Sequence, residues 1–324
     1  MNNVVRVAAA SAFLVLALGA NAQQDPAFPS RPITIVVPYP AGGASDAQVR
    51  MFQDALGRML GQPIVVENKP GASGAIAAQA VKHAKPDGYT LLYPNNGVVI
   101  APLLNSTAGY DALRDFKPVT QVTAVPMVLV ASKKVPAANL TDFLKYARSQ
   151  PQGIMYASAG TASYGHLASA QFASMAGLRV EHIPYKGEAA TTMAVRSGEV
   201  QMLMTVPSAA MLGQVQQGNL TMLGVATAAP SPVVPGVPTI ASVVPGFTSE
   251  VWFGLLAPAA TPDGVIQKIN AAMVKIMSDE SFKTRLLPTG AMPRTSTPAE
   301  LGQMMKNEAA QWRDVIAKFN IKAD

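Results

Sequence analysis

Cysteine is absent from this 324-residue chain, and histidine occurs only three times. Without cysteine the chain has no disulfide, no thiol nucleophile, no cysteine-ligated metal and no lipid-modified cysteine to serve as an anchor. The histidines, His83, His166 and His182, do not stand at the spacing of metal ligands. We therefore predict no metal site, and no motif in the sequence indicates a cofactor.

Charge is also scarce, since charged residues make up 14% of the chain. The sum of 25 Lys and Arg against 19 Asp and Glu leaves a formal net charge of +6. The sequence has no run of four basic residues and no basic stripe with interleaved aromatics, so we expect no nucleic-acid partner. A weak positive excess favours anionic solutes.

Long apolar runs are missing except near the start of the chain. Arg6 precedes an apolar stretch, residues 7–20, and Ala20-Asn21-Ala22 has the small-x-small pattern of a cleavage site. These features predict a signal peptide over residues 1–22, too short in its apolar part to span a bilayer. Export without disulfides indicates the periplasm of a bacterium.

Strand and helix patterns alternate along the rest of the chain. Short apolar runs at residues 33–37, 64–67 and 89–93 are each followed by turn residues, and helical periodicity separates several of them. This order predicts an α/β fold with mainly parallel sheets flanked by helices. A mature chain of this length favours two domains.

A loop with two glycines, residues 36–46, joins the first predicted strand to a helix. Ser45 and Gln48 have the S-x-x-Q spacing of a capping box at the start of that helix. A strand, a glycine loop and a helix N-terminus together bind anions through backbone N–H groups. Because the loop lacks Lys, Arg, Cys and His, we interpret it as a binding loop, with a plain tight turn as the alternative.

Other signals mark the later part of the chain. Residues 68–74 and 157–166 are two further loops of small residues that lead into helices. Residues 119–131 predict two strands around a proline, and Pro262 is predicted at the first position of a helix. Thr297 and Glu300 form a second capping box before a long amphipathic C-terminal helix.

Six segments stand out along the chain: VPYPAGGASD, VENKPGASG, KPDGYTLL, SAGTASYGHL, HIPYKG and VWFGLLAP. Taken together, they resemble the solute-binding receptors of tripartite tricarboxylate transporters, also called the Bug family. The resemblance implies a two-lobed, type II periplasmic binding protein in which each lobe is a mainly parallel sheet flanked by helices. It places lobe 1 at residues 23–126 plus 247–324 and lobe 2 at residues 127–246.

The same resemblance implies what the protein does. Its members capture a small organic mono- or dicarboxylate in the cleft between the lobes, without covalent chemistry, and deliver it to membrane permease subunits. We expect a monomer that is not an enzyme. One alternative is a receptor that presents its ligand to a sensor kinase. A second is a serine hydrolase using Ser163 and His166, although no orienting acid is evident.

Carried over residue by residue, the resemblance implies a set of ligand-binding residues. In lobe 1 they are Tyr39, Pro40, Ala41, Gly42, Gly43, Asp46 and Ser73. In lobe 2 they are Ser158, Ala159, Gly160, Thr161, Ala162, Ser163 and His166, with Thr205 as a replacement hydroxyl. We expect Asp46 to orient the loop or a water, because its charge repels an anion, and His166 to act indirectly.

The chain also departs from the family pattern. Ala170 and the Met204-Thr205 pair stand where many members carry acidic residues, and Ala77 stands where glycine is common. If those acids face the cleft in other members, their loss disfavours a ligand with an ammonium group. We therefore expect a carboxylate that is not an amino acid, with aromatic and aliphatic diacids both open.

Overall fold

The computed structural model describes residues 28–322, so the predicted signal peptide lies outside the described residues. The strands are β1 (Ile33–Val37), β2 (Ile64–Asn68), β3 (Thr90–Leu92), β4 (Phe116–Pro126), β5 (Val128–Ser132), β6 (Ile154–Ser158), β7 (Val180–Pro184), β8 (Met202–Thr205), β9 (Leu220–Val225), β10 (Glu250–Pro258) and β11 (Met292–Pro293). The α-helices are α1 (Ala44–Leu60), α2 (Ala75–Lys82), α3 (Gly97–Leu104), α4 (Leu140–Ser149), α5 (Tyr164–Ala176), α6 (Glu188–Ser197), α7 (Ala209–Gln216), α8 (Asp263–Met277), α9 (Glu280–Leu286) and α10 (Pro298–Phe319).

Two sheets organise these elements into two lobes. The first has the strand order β11-β4-β10-β3-β1-β2, and the second β7-β6-β8-β5-β9. Strand β1 is parallel to β2 and β3, and β6 is parallel to β7 and β8. Both sheets become mixed where β10 and β5 run antiparallel to their neighbours. The α/β class and the two-lobed architecture are thus confirmed.

The chain crosses between the sheets twice, at adjacent points. Strand β4 continues through Met127 into β5, and the chain returns through Ser249 into β10. The two crossing segments pair, because Met127 N donates to Ser249 O (3.1 Å). Ala226, just after β9, contacts both of them, since its O accepts from Ser249 N (2.8 Å) and its N donates to Met127 O (2.8 Å). This pairing forms the hinge. The lobe boundaries given in the sequence analysis, residues 23–126 plus 247–324 and residues 127–246, stay a prediction.

Each lobe has apolar packing on both faces of its sheet. In lobe 1, Phe52 and Ile269 belong to the cluster on one face, and Leu256 and Leu301 to the cluster on the other. A further cluster, the interlobe cluster, joins α3 and α10 of lobe 1 to α5 of lobe 2. It consists of Ile100, Leu167, Ala170, Trp312, Val315 and Ile321. Among residues 28–322, no helix is long and apolar enough to cross a membrane.

The first predicted capping box is wrong. Helix α1 begins at Ala44 with Gly43 as N-cap, and no side chain caps it. Gln48 instead points into the core, where its Oε1 accepts from Tyr93 OH (2.7 Å) and Thr123 Oγ1 (2.8 Å). Satisfying two buried hydroxyls takes precedence over capping. Likewise Pro262 is the N-cap of α8 and not its first residue.

The second capping box is confirmed. Thr297 Oγ1 accepts from Glu300 N (3.2 Å), and Glu300 Oε2 accepts from Thr297 N (2.8 Å) at the start of α10. The two predicted strands around Pro126 are confirmed as β4 and β5. Helices α3, α7 and α9 are not predicted from the sequence, and α3 lines the candidate site.

Candidate functional site

A cavity of about 610 Å³ lies between the two lobes, beside the hinge. Both lobes and the hinge strand contribute to its wall. The lining residues are Tyr39, Ala72, Ser73, Asn95, Asn96, Gly97, Ile100, Ala101, Leu104, Asn105 and Ala108 from lobe 1, Thr161, Ala162, Ser163 and Tyr164 from lobe 2, and Val251 from β10. Among these described residues none carries a charged side chain.

The lobe-1 loop before α2 reaches the cavity in a strained conformation. Ala72 and Ser73 have φ values of 46° and 53°, in the left-handed region that non-glycine residues rarely adopt. Such a conformation costs on the order of 1–3 kcal/mol for each residue and is typical of ligand-binding loops. Since both residues line the cavity, the strain lies at the proposed binding surface.

The side chain of Asn95 is fixed with its amide nitrogen available. Its Oδ1 accepts from Tyr39 OH (2.6 Å) and from Gly97 N (2.8 Å). Two donors on one atom identify that atom as the oxygen. The Nδ2 group makes no hydrogen bond to any residue of the described chain, so it is an unpaired donor in the cavity lining. Burial raises the pKa of Tyr39 to about 12, although the hydrogen bond to Asn95 lowers it. The phenol of Tyr39 is therefore neutral at pH 7.

The lobe-2 loop meets the cavity at the N-terminus of α5. Ser163 is the N-cap, and its Oγ accepts from His166 N (3.3 Å). Ala162 has a φ of 61°, and its N–H donates to His166 Nδ1 (3.1 Å). The backbone N–H groups of Thr161 and Tyr164 have no acceptor within residues 28–322. They are the unpaired donors that a helix start offers to an anion.

Two stacked histidines contact this loop. The rings of His166 and His182 stack with centroids 3.6 Å apart, and His182 Nε2 lies 2.6 Å from Ser158 Oγ. Ser158 Oγ also lies 2.8 Å from Gly160 O, to which it donates. Burial and then the neighbouring His182 lower the pKa of His166 to about 4. His166 is therefore neutral at pH 7 and can accept from Ala162.

The glycine loop before α1 is held by an internal carboxylate. Asp46 Oδ2 accepts from Gly42 N (2.9 Å) and from Arg50 Nε (2.8 Å). The hydrogen bond from Arg50 is the main reason that the pKa of Asp46 falls to about 2. Asn68 Nδ2 donates to Tyr39 O (3.0 Å) and ties the same loop to β2. Asp46 thus orients the loop that carries Tyr39.

The cavity brings together part of the predicted site. Tyr39, Ser73, Thr161, Ala162 and Ser163 line it. The other predicted residues lie outside its lining, and a ligand role for them stays a prediction. They are Pro40, Ala41, Gly42, Gly43, Asp46, Ser158, Ala159, Gly160, His166 and Thr205.

Sequence reasoning missed the Asn95-Asn96-Gly97 turn and the face of α3 behind it. The turn residues were read only as the end of a strand, although a polar turn after a strand is also a helix-start signal. The sequence does not predict this helix, because the β-branched run at residues 98–100 and Pro102 both lower helix propensity.

Comparison with known proteins agrees with this geometry. A family model described as "Tripartite tricarboxylate transporter family receptor" matches residues 48–321. The protein BugT of Bordetella pertussis is 30% identical over 299 residues, which cover 91% of each chain.

Two solved structures are also similar. The R. palustris protein Rpa4515 with adipate has a TM-score of 0.72 and 31% identity over 91% of this chain and 99% of that one. MatC from Rhodopseudomonas palustris with bound malate has a TM-score of 0.68 and 32% identity, covering 89% of this chain and all of that one.

The family model spans most of the chain, and the relatives align over nearly its whole length. The two-lobed fold agrees with the similar solved structures. The chain therefore belongs to the family of tripartite tricarboxylate transporter receptors.

Proposed function

We propose that this protein is a periplasmic receptor that binds a small organic carboxylate in the interlobe cavity and passes it to the membrane subunits of a tripartite transporter. The observation that carries the proposal is the chemistry of the cavity wall. Asn95 Nδ2 and the N–H groups of Thr161 and Tyr164 are donors without acceptors in the described chain, and they come from both lobes. The adipate and malate bound by the two similar proteins support the same ligand class.

Neutral donors suit a receptor that must release its ligand. A carboxylate accepts hydrogen bonds on each oxygen, and charge-assisted bonds are about twice as strong as neutral ones. A buried Arg or Lys would add a strong ion pair, whereas a set of amides binds the anion without a fixed countercharge. Because the donors lie on both lobes, a bound carboxylate favours the closed arrangement over any open one.

The arrangement at Ser163 supports a receptor in preference to a hydrolase. Ser163 Oγ accepts from the backbone N of His166, while the imidazole Nδ1 accepts from Ala162 N. Within residues 28–322 no hydrogen bond links the hydroxyl to the imidazole, so the ring does not activate the serine. Ser158 does contact His182, but its side chain is fully buried.

The proposal is tested with the substitution Asn95→Asp, which keeps the acceptor for Tyr39 and Gly97. It removes the Nδ2 donor and places a negative charge in the cavity. Calorimetry against a panel of mono- and dicarboxylates at pH 8 should show binding to the native protein. The Asn95→Asp protein should bind at least tenfold more weakly, because like charges repel strongly at a buried site.

Asn307→Asp is the matched control, since it makes the same charge change on the exposed surface of α10. It should bind like the native protein. Equal carboxylate affinity of the Asn95→Asp and native proteins would contradict the proposed site, and failure of every carboxylate to bind would contradict the proposed function.

A further inference from the structure

One wall of the interlobe cavity is an apolar face of α3. Gly97, Ile100, Ala101 and Leu104 of α3 line the cavity at the spacing i, i+3, i+4 and i+7. Residues at such spacings lie on one side of a helix. Val251 of β10 adds a further apolar side chain beside the hinge. These residues form an apolar stretch of the cavity wall along α3.

The unpaired side-chain donor of this wall, Asn95 Nδ2, lies at one end of it. The lobe-2 loop approaches the same end, because Tyr164 OH and Asn96 Nδ2 both donate to Glu250 O (2.9 and 3.3 Å). Asn95 and Tyr39 lie at the N-terminus of α3, and Ser73 lines the same cavity from the loop before α2. From Gly97 to Leu104 the helix rises by roughly 10 Å at about 1.5 Å per residue. The wall ends at Asn105, which is exposed to solvent. A ligand that places its carboxylate at Asn95 thus has an apolar path leading towards the outside.

We infer that the ligand is a carboxylate with one charged end and an extended apolar body that lies along α3. This inference rests on the proposed function and narrows its ligand class. A second carboxylate placed beside Leu104 would lose its hydration without gaining a hydrogen bond, because the side chains of Ile100, Ala101 and Leu104 carry no donor. An alkyl or aryl body placed there instead removes apolar surface from water on both sides.

The test is calorimetry with butanoate, hexanoate and octanoate, together with malate and adipate. Each methylene buried along α3 should strengthen binding about fourfold, which corresponds to about 0.8 kcal/mol. Hexanoate should also bind more tightly than adipate, which has the same number of carbon atoms but a second charge. The substitution Leu104→Asn should flatten the dependence on chain length.

Leu113→Asn is the control, because Leu113 is 38% exposed and lies outside this cavity. Should Leu104→Asn fail to fold, Ala101→Leu serves instead, and it should weaken octanoate more than butanoate by filling the path. A flat chain-length series, or tighter binding of malate or adipate than of hexanoate, would overturn the inference while leaving the proposed function intact. Absence of binding by all five acids would overturn both.

Discussion

Nε1 of Trp252 donates a 2.7 Å hydrogen bond to Oε2 of Glu308. The second indole of the chain, Trp312, donates to Oε1 of the same carboxyl group (3.1 Å), and so does Asn96 Nδ2 (3.0 Å). Trp252 lies in the hinge strand β10, whereas Asn96 borders the cavity. Glu308 therefore links the cavity, the hinge and the C-terminal helix, and it contacts both tryptophans of the protein.

Tryptophan fluorescence should report the ionisation of Glu308. Burial raises the pKa of Glu308 to about 7, although the three N–H donors each lower it. Below that pH the carboxyl group is protonated in the folded protein, and above it the group is ionised next to both indoles. We expect the emission of the native protein to change with a midpoint near pH 7, measured by titration in the folded range.

The substitution Glu308→Gln should abolish that transition, because no proton is then exchanged beside the indoles. Glu300→Gln, which alters the exposed capping box of α10, should leave it in place. A midpoint near the ordinary glutamate value of 4.5 would contradict the raised pKa of Glu308. An unchanged transition in the Glu308→Gln protein would show that another group controls the emission.

Acid should destabilise the protein through His166. Its pKa is about 4 in the folded protein against an ordinary 6.5, so between these values the unfolded chain binds a proton that the folded protein does not. This contribution to the free energy of unfolding is present above pH 6.5 and is lost as the pH falls towards 4. The loss is on the order of 3 kcal/mol. Urea denaturation at a series of pH values measures it.

His166→Asn should reduce the slope of stability against pH in that window, since asparagine can still accept from Ala162 N without titrating. His83→Asn, a change at the end of α2, is the control and should keep the native slope. If the two variants show the same slope as the native protein, the histidine stack does not carry the acid sensitivity.

The hydroxyl of Tyr164 should stabilise the contact between lobe 2 and the hinge. It donates to Glu250 O (2.9 Å) and accepts from Ser249 Oγ (3.2 Å), and its ring packs edge-on against Trp312. Tyr164→Phe keeps the ring but leaves the buried Ser249 hydroxyl without this partner, at a cost of about 1–2 kcal/mol. The free energy of unfolding in urea measures this cost.

Tyr146→Phe is the matched control, because the Tyr146 hydroxyl makes no hydrogen bond to any described residue of the chain. It should change stability by less than about 0.5 kcal/mol. A Tyr164→Phe protein as stable as this control would mean that ring packing alone joins α5 to the hinge.

The sequence was most informative where local signals and the fold agree. Thr297 and Glu300 cap α10 as their spacing predicts, and the β-prone residues on either side of Pro126 form the two strands of the hinge. The resemblance to the receptor family identified loops from both lobes, and Ser73 and Thr161 of those loops line the cavity.

Prediction from the sequence failed at residues whose conformation or hydrogen bonding is set by tertiary contacts. Gln48 fits a capping box, but the buried hydroxyls of Tyr93 and Thr123 use its side-chain oxygen. Helix α3 has weak local propensity and is stabilised by packing, with Ile100 in the interlobe cluster. The free Nδ2 of Asn95 depends on two donors brought from different parts of the chain. None of these can be deduced from residue spacing.

The most direct measurement compares acids with their amides at the interlobe cavity. Calorimetry at pH 8 with hexanoate and hexanamide, and with adipate and adipamide, isolates the negative charge while keeping the ligand's size. Because the unpaired groups at the cavity are N–H donors, we predict that an acid binds and that its amide binds at least tenfold more weakly. Equal affinity for acid and amide, or binding of the amides alone, would contradict carboxylate recognition by this receptor.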